Sequence, residues 1–170
     1  MNSLKKKTLK NLLKKNSRSF YLSLRFLPKS IRSSLSIAYL LARISDTIAD
    51  TKEVPVECRQ LLLHQYNNQL FYHEEREFNL FQKFIEKQKN EAEKELLTHY
   101  DFVIQSFNQL PLRDQDLIKT VLETIISGQK FDLNFFNQDG CVKSFETEEQ
   151  LENYLYSVAG CVGEFWTLLC

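Results

Sequence analysis

No glycine occurs before Gly128, and the three prolines, Pro28, Pro55 and Pro111, each stand in front of a segment with helical spacing of apolar residues. Glycine and proline are the residues that weaken helix interiors, and proline is tolerated at a helix start, where its missing N–H is not needed. No run alternates apolar and polar residues between Asn-Gly or Gly-rich turns, so nothing reads as a hairpin. The sequence therefore predicts an all-α fold, with no internal repeat and no linker dividing it. Helices are expected over about 3–15, from Ser17 to Leu27, from beyond Pro28 to Asp50, over 56–72 and 76–89, from Glu91 to Gln109, from beyond Pro111 to Phe136, and from Thr147 to the end. A loop from Asn137 to Glu146 holds Asp139-Gly140, and Thr147 with Gln150 matches a capping box.

Composition narrows the classes. Hydrophobic residues make up 43% and charged residues 26%, which supports a packed core and argues against disorder. Lys and Arg total 22 and so do Asp and Glu, so the chain as a whole does not read as a nucleic-acid binder. The first fifteen residues depart from that balance, with Lys5, Lys6, Lys7, Lys10, Lys14 and Lys15 and no acid. Leu4, Leu9, Leu12 and Leu13 lie among them without forming a continuous apolar core, so this is not a secretory signal, and an Arg-rich transit peptide would look different. No apolar run is long enough to span a bilayer. Cys58, Cys141, Cys161 and Cys170 form no C-x-x-C and read as free, buried thiols of a reducing cytoplasm. His64, His73 and His99 are scattered and take no chemistry.

The most informative segment is Ile31 to Asp50. It is apolar enough to be a buried helix, yet Arg32, Ser36, Tyr39, Arg43, Asp46 and Asp50 recur at steps of three and four. A polar stripe on a buried helix predicts a helix lining a polar cavity. Two carboxylates one turn apart repel by a few tenths of a kcal/mol when exposed, and a hard cation shared with a ligand phosphate reverses that sign. On spacing alone, an exposed polar face with an Arg–Asp pair is the better reading of Asp46-x-x-x-Asp50.

The context of that motif resembles the squalene/phytoene synthase family. Ser17-Arg18-Ser19-Phe20 precedes Tyr39-Leu40-Leu41-Ala42-Arg43-Ile44-Ser45-Asp46-Thr47-Ile48-Ala49-Asp50. Ile126-Ser127-Gly128-Gln129-Lys130-Phe131-Asp132-Leu133 looks like the family's Gly-Gln-x-x-Asp-Leu helix, and Tyr154 to Glu164 looks like its Tyr-x-Tyr-x-Val-Ala-Gly-x-Val-Gly helix. The resemblance implies the N-terminal part of the isoprenoid (terpenoid) synthase helical fold, with a central cavity, as one domain over 1–170. It implies a prenyltransferase of isoprenoid biosynthesis that joins two prenyl diphosphates, farnesyl or geranylgeranyl, head to head toward squalene- or phytoene-type products.

The same resemblance implies the site. Asp46 and Asp50 bind Mg²⁺ that bridges to a diphosphate and neutralises the leaving group. Arg43, with Ser17 and Arg18 near the mouth, contacts diphosphate oxygens; Ser19 and Phe20 belong to the same substrate segment, and Tyr39 lines the site. Gln129, Val158, Ala159, Gly160 and Gly163 border an apolar tunnel for the prenyl tails. Tyr154 offers its ring to the reacting carbocation. Read without the family, Ser17 and Ser19 serve equally as helix caps, Phe20 as core, and Gly160 and Gly163 as points of tight helix packing.

Two departures qualify the match. Ser157 stands where the animal and plant squalene synthases carry tyrosine, so the bacterial branch fits better. The family's second aspartate-rich motif has no counterpart after Gly163, so the chain is expected to be C-terminally incomplete: a truncated gene product, a split gene or a fragment, with its missing half in a complementing C-terminal polypeptide or an intact parent gene. Alternatives are a catalytically inactive remnant or half-domain that binds Mg-diphosphate only, and a membrane-surface helical module built on the Lys-rich N-terminus. A squalene-forming reaction needs NADPH, and no nucleotide signature is present. The expected location is the cytoplasm, peripheral to a membrane.

Overall fold

The computed structural model describes residues 3–17, 20–72, 74, 76–136 and 144–170. Ten α-helices are seen among them, with no strand. They are α1 (Ser3–Asn16), α2 (Phe20–Phe26), α3 (Lys29–Asp50), α4 (Val56–Tyr72), α5 (Phe78–Lys87), α6 (Glu91–Thr98), α7 (Tyr100–Phe107), α8 (Leu112–Phe135), α9 (Glu148–Leu155) and α10 (Cys161–Leu169), with a π-helical turn (Tyr156–Gly160) joining the last two. No helix of the described residues is long and apolar enough to cross a membrane.

The prolines start helices as expected. Pro28, Pro55 and Pro111 each offer a carbonyl to the first helical N–H, from Arg32, Arg59 and Gln115. Thr147 caps α9 by accepting from the Gln150 N–H, while the Gln150 side chain reaches back to the N–H of Glu146, one residue beyond the expected partner.

Helix α3 is the axis. It packs against α1, α2, α4, α6, α7 and α8. Leu40, Leu41, Ile44 and Ile48 are fully buried on it, and each such side chain contributes about 1.5–3 kcal/mol relative to exposure. The Tyr66 hydroxyl of α4 donates to the Leu41 carbonyl at 2.9 Å inside this core. At its C-terminus, where carbonyls lack helical partners, the Arg59 guanidinium donates to the Ala49 carbonyl and the Thr51 hydroxyl to that of Thr47. The segment carrying Asp46 and Asp50 is thereby pinned from both sides.

Three boundaries differ from expectation. Ser17 does not open the second helix; its hydroxyl and N–H both turn back to the Leu13 carbonyl and close α1. The single helix expected from Glu91 to Gln109 is broken at His99, whose N–H reaches the carbonyls of Glu95 and Leu96 and whose ring Nδ1 lies 2.9 Å from the Glu95 carbonyl. The last helix is interrupted by the π-turn, in which the Cys161 N–H reaches the Tyr156 carbonyl. Three of the cysteines are free: Cys161 is buried as expected, Cys58 half-buried, and Cys170 exposed; Cys141 and Asp139-Gly140 lie outside the described residues.

Among the described glycines, Gly128 is the one that meets another element closely. A Cβ there would lie 2.7 Å from the Ser157 Oγ and 3.3 Å from Val158 Cγ1, so α8 and the π-turn touch at this point. We expect Gly128→Val to lower unfolding free energy by about 1–3 kcal/mol through overpacking, with Ser157→Gly recovering part of it. Urea denaturation of the single and double variants checks this.

Candidate functional site

Asp46 and Asp50 face a cleft of about 640 Å³ between α3, α4, α8 and α9, lined also by Lys52, Arg59, Gln129, Asp132, Phe136, Tyr154 and Val158. A second, apolar cavity of about 200 Å³ adjoins it, lined by Phe20, Leu35, Tyr39, Ala42, Leu122, Phe165 and Trp166. Asp46, Ile125 and Val158 line both. The first carboxylate of the motif thus stands where a polar cleft meets an apolar one.

Asp46 is held from α8: the Gln129 side-chain amide donates to its Oδ1 at 2.6 Å. Burial pushes the Asp46 carboxyl above its usual range, and the Asp50 charge adds to this, while Arg43 and the Gln129 hydrogen bond oppose it. Asp132 is also raised, first by burial and then by the Asp50 charge; the Tyr154 hydroxyl lies against it and partly offsets the rise. Three carboxylates face two cations, Lys52 and Arg59, around one cleft.

The cleft retains unanswered acceptors. Gln129 Oε1 and Asp132 Oδ1 are buried without hydrogen-bond partners. Among the described residues no group of three or more His, Cys, Asp or Glu side chains is arranged to hold a metal ion. The donor set is oxygen only, with two carboxylates one turn apart. That set fits Mg²⁺, which takes one or two carboxylates and completes its shell with waters and substrate phosphates. Asp46 and Asp50 are the residues that would hold it.

The other candidates divide. Tyr39 and Phe20 meet as tilted rings at 5.1 Å, and Phe20 meets Trp166 edge-on at 6.1 Å, forming the wall of the apolar cavity. The Tyr39 hydroxyl donates to the Asn16 carbonyl. Arg43 turns to Glu93 of α6, at 2.6 Å, and does not line the cleft. Ser17 is buried on Leu13. Arg18 and Ser19 lie outside the described residues. Gln129 meets Asp46, a polar placement, in addition to bordering the cleft. Of the expected tunnel residues after α8, Val158 lines both cavities, whereas Ala159, Gly160 and Gly163 are exposed and line neither. A Cβ at Gly163 would meet nothing within 4 Å, and one at Gly160 would meet only Tyr156, so neither is a point of tight packing between helices. Tyr154 stands in an aromatic group with Phe131, Phe136 and Phe145, at 5.9, 6.2 and 5.2 Å.

The stripe on α3 does not line one cavity. Arg32 and Ser36 face a separate groove near α1 and α2, Tyr39 the apolar cavity, and Asp46 and Asp50 the cleft. Arg59 and Lys52 are cleft residues that sequence reasoning missed. A buried arginine in the α4 segment Val56-Glu57-Cys58-Arg59 carries no local signal; it becomes visible only once α4 is laid beside the end of α3.

Comparison with known proteins bears on the fold and the family. The solved structure of TcSQS with the ligand E5700 superposes with a TM-score of 0.76 at 26% identity, covering 99% of this chain and 44% of that one. The fold is therefore the all-α isoprenoid synthase fold. The family model for squalene/phytoene synthase matches residues 13–170. Squalene synthase of Schizosaccharomyces pombe is 29% identical over 153 residues, 89% of this chain and 31% of that protein. Human squalene synthase is 26% identical over 157 residues, 92% and 34%. A bifunctional lycopene cyclase/phytoene synthase of Phaeosphaeria nodorum is 30% identical over 155 residues, 89% and 23%. This chain belongs to the squalene/phytoene synthase family, and it spans about a third of the length of the squalene synthases it matches.

The raised Asp46 has a consequence for stability. Between its ordinary range and its raised one, the unfolded chain has already lost the proton that the folded chain keeps. Stability therefore falls as pH rises through that window and stays lower above it. Asp46→Asn keeps an acceptor for Gln129 and removes the charge. Its urea midpoint should exceed that of the parent chain at pH 7, and the two should converge below about pH 3, where Asp is largely neutral in both states.

Proposed function

We propose that this chain is a diphosphate-binding half-site of a head-to-head prenyltransferase, holding a Mg²⁺–prenyl diphosphate through Asp46 and Asp50. The observation that carries this is the position of Asp46 at the junction of the polar cleft and the apolar cavity. A diphosphate head in the cleft would leave its hydrocarbon tail facing Phe20, Tyr39 and Trp166. Bound Mg²⁺ would neutralise charge on the diphosphate as an allylic C–O bond ionises. Gln129 would fix the orientation of Asp46, and Lys52 and Arg59 would add positive charge at the cleft wall. The Phe20, Tyr39 and Trp166 rings of the apolar cavity would keep water from the tail.

Binding alone is the reading supported best, because two carboxylates supply one side of a metal–diphosphate cluster and the described residues gather no larger ligand group. Condensation to squalene- or phytoene-type products is the second reading, favoured by Tyr154, whose ring faces the same cleft. It would need facing carboxylates beyond those the described residues bring to the cleft. The membrane-module reading loses its main support, since Leu9, Leu12 and Leu13 of α1 are buried in the core.

Titration calorimetry with farnesyl diphosphate tests binding. Affinity should fall at least about tenfold in Asp50→Asn and on removal of Mg²⁺ with EDTA, since each leaves a charged partner unanswered. Affinity indifferent to both changes would sink the proposal. Metal-dependent binding should also fail on acidification at a pH above the ordinary aspartate value, because Asp46 takes up its proton early. Product formation with this chain alone would displace the half-site reading. Product only on adding a polypeptide with the second aspartate-rich motif would establish the second one.

A further inference from the structure

A groove of about 510 Å³ lies between α1, α2 and the start of α3, sharing no lining residue with the aspartate cleft or its apolar neighbour. Its volume is in the range of small-molecule sites, roughly 300–1,000 Å³. Each helix presents one stripe to it at helical spacing: Lys6, Leu9, Lys10 and Leu13 from α1; Tyr21, Leu24 and Arg25 from α2; Lys29, Arg32, Ser33 and Ser36 from α3. Five of these side chains are cationic and none is acidic. No ion pair to any of the five is seen among the described residues. Arg32 is fixed by donating from Nε and Nη2 to the Leu27 carbonyl, so its charge is held in place by a neutral partner.

Beneath the cations lie buried Leu9, Leu13 and Leu24, with half-buried Tyr21 beside them. Converging unpaired cations are unfavourable for folding by themselves, and three separate helices contribute them here. The lysine excess at the N-terminus is thus more than a solvated face, because Lys6 and Lys10 of it are turned into a built concavity. We propose that this groove binds the phosphate or diphosphate head of an amphiphile, with the start of its hydrocarbon chain on Leu9, Leu13, Leu24 and Tyr21. The phosphate oxygens would accept from the Lys, Arg and Ser groups of the rim.

Two pairs of variants remove equal charge from exposed positions. Lys10→Gln with Arg25→Gln lies in the groove, and Lys7→Gln with Lys14→Gln lies outside it. The probe is monododecyl phosphate, kept below its micelle concentration and followed by calorimetry on the full chain. The groove pair should lose about tenfold in affinity and the outside pair should stay within about twofold. Inorganic phosphate should bind at least about tenfold more weakly than the dodecyl ester, because it lacks the chain that covers the leucines. Equal losses in the two pairs, equal affinity of the two probes, or no binding of either would overturn the proposal. Co-sedimentation with phosphatidylcholine vesicles, with and without phosphatidic acid, identifies the source. Pelleting that needs phosphatidic acid and follows the same order of variants points to a bilayer lipid. Binding of the soluble ester without pelleting points to a free phosphorylated chain.

Discussion

The hydrogen bond from Gln129 to Asp46 ties together the two longest helices at the point where the chain is least free to put a charge. Helix α3 is the buried axis of the molecule, and a carboxylate on it is an expense that packing alone does not offset. Arg43 is near enough to favour its charge, but that guanidinium is engaged by Glu93. Among the described residues the amide of Gln129 is the neutral side-chain donor aimed at it, and α8 must sit against α3 in one register for that donor to arrive. Gly128, the preceding residue, is what lets the π-turn approach on the other side of α8. Two adjacent residues of one helix thus set both walls of the cleft.

That arrangement is not the most stable one this backbone could carry. Burial and a like charge one turn away both disfavour ionised Asp46, and the acceptors of Gln129 and Asp132 are left buried and unanswered. Cores usually satisfy such groups, and exceptions gather where a ligand supplies the missing partner. A cation bridging the acids would convert each of these deficits into a contact. The far side of α3, with Leu40, Leu41 and Ile44, is by contrast fully packed.

Much of the scaffold was legible in the sequence. The prolines marked the starts of α3, α4 and α8, and the dense apolar spacing of residues 31–50 gave the buried axis. Helical periodicity, however, cannot see an inserted residue or a local cap. The break at His99 depends on a single residue leaving helical backbone geometry (ψ 17°), and the residues on both sides remain good helix formers. Ser17 reads as a cap from either direction, and only the carbonyl of Leu13 decides for α1. For the site, the aspartates and Gln129 were found through their motifs. Arg59 and Lys52 were not, because they reach the cleft through tertiary placement. The stripe on α3 was read as lining one cavity, but a helix of 22 residues turns about six times and runs past three different neighbourhoods.

The π-turn at Tyr156–Gly160 has a consequence for how this segment can vary between relatives. It amounts to one extra residue accommodated within an otherwise continuous helix. One residue of helix is about 100° of rotation, so the insertion decides which side chains after Leu155 look into the cleft and which look away. Val158 faces inward while Ala159, Gly160 and Gly163 face out. A lineage that lost a single codon here would keep every surrounding letter of the motif and yet point a different residue at the cleft. Length conservation across these five positions is thus as informative about shared chemistry as the identity of the residues themselves.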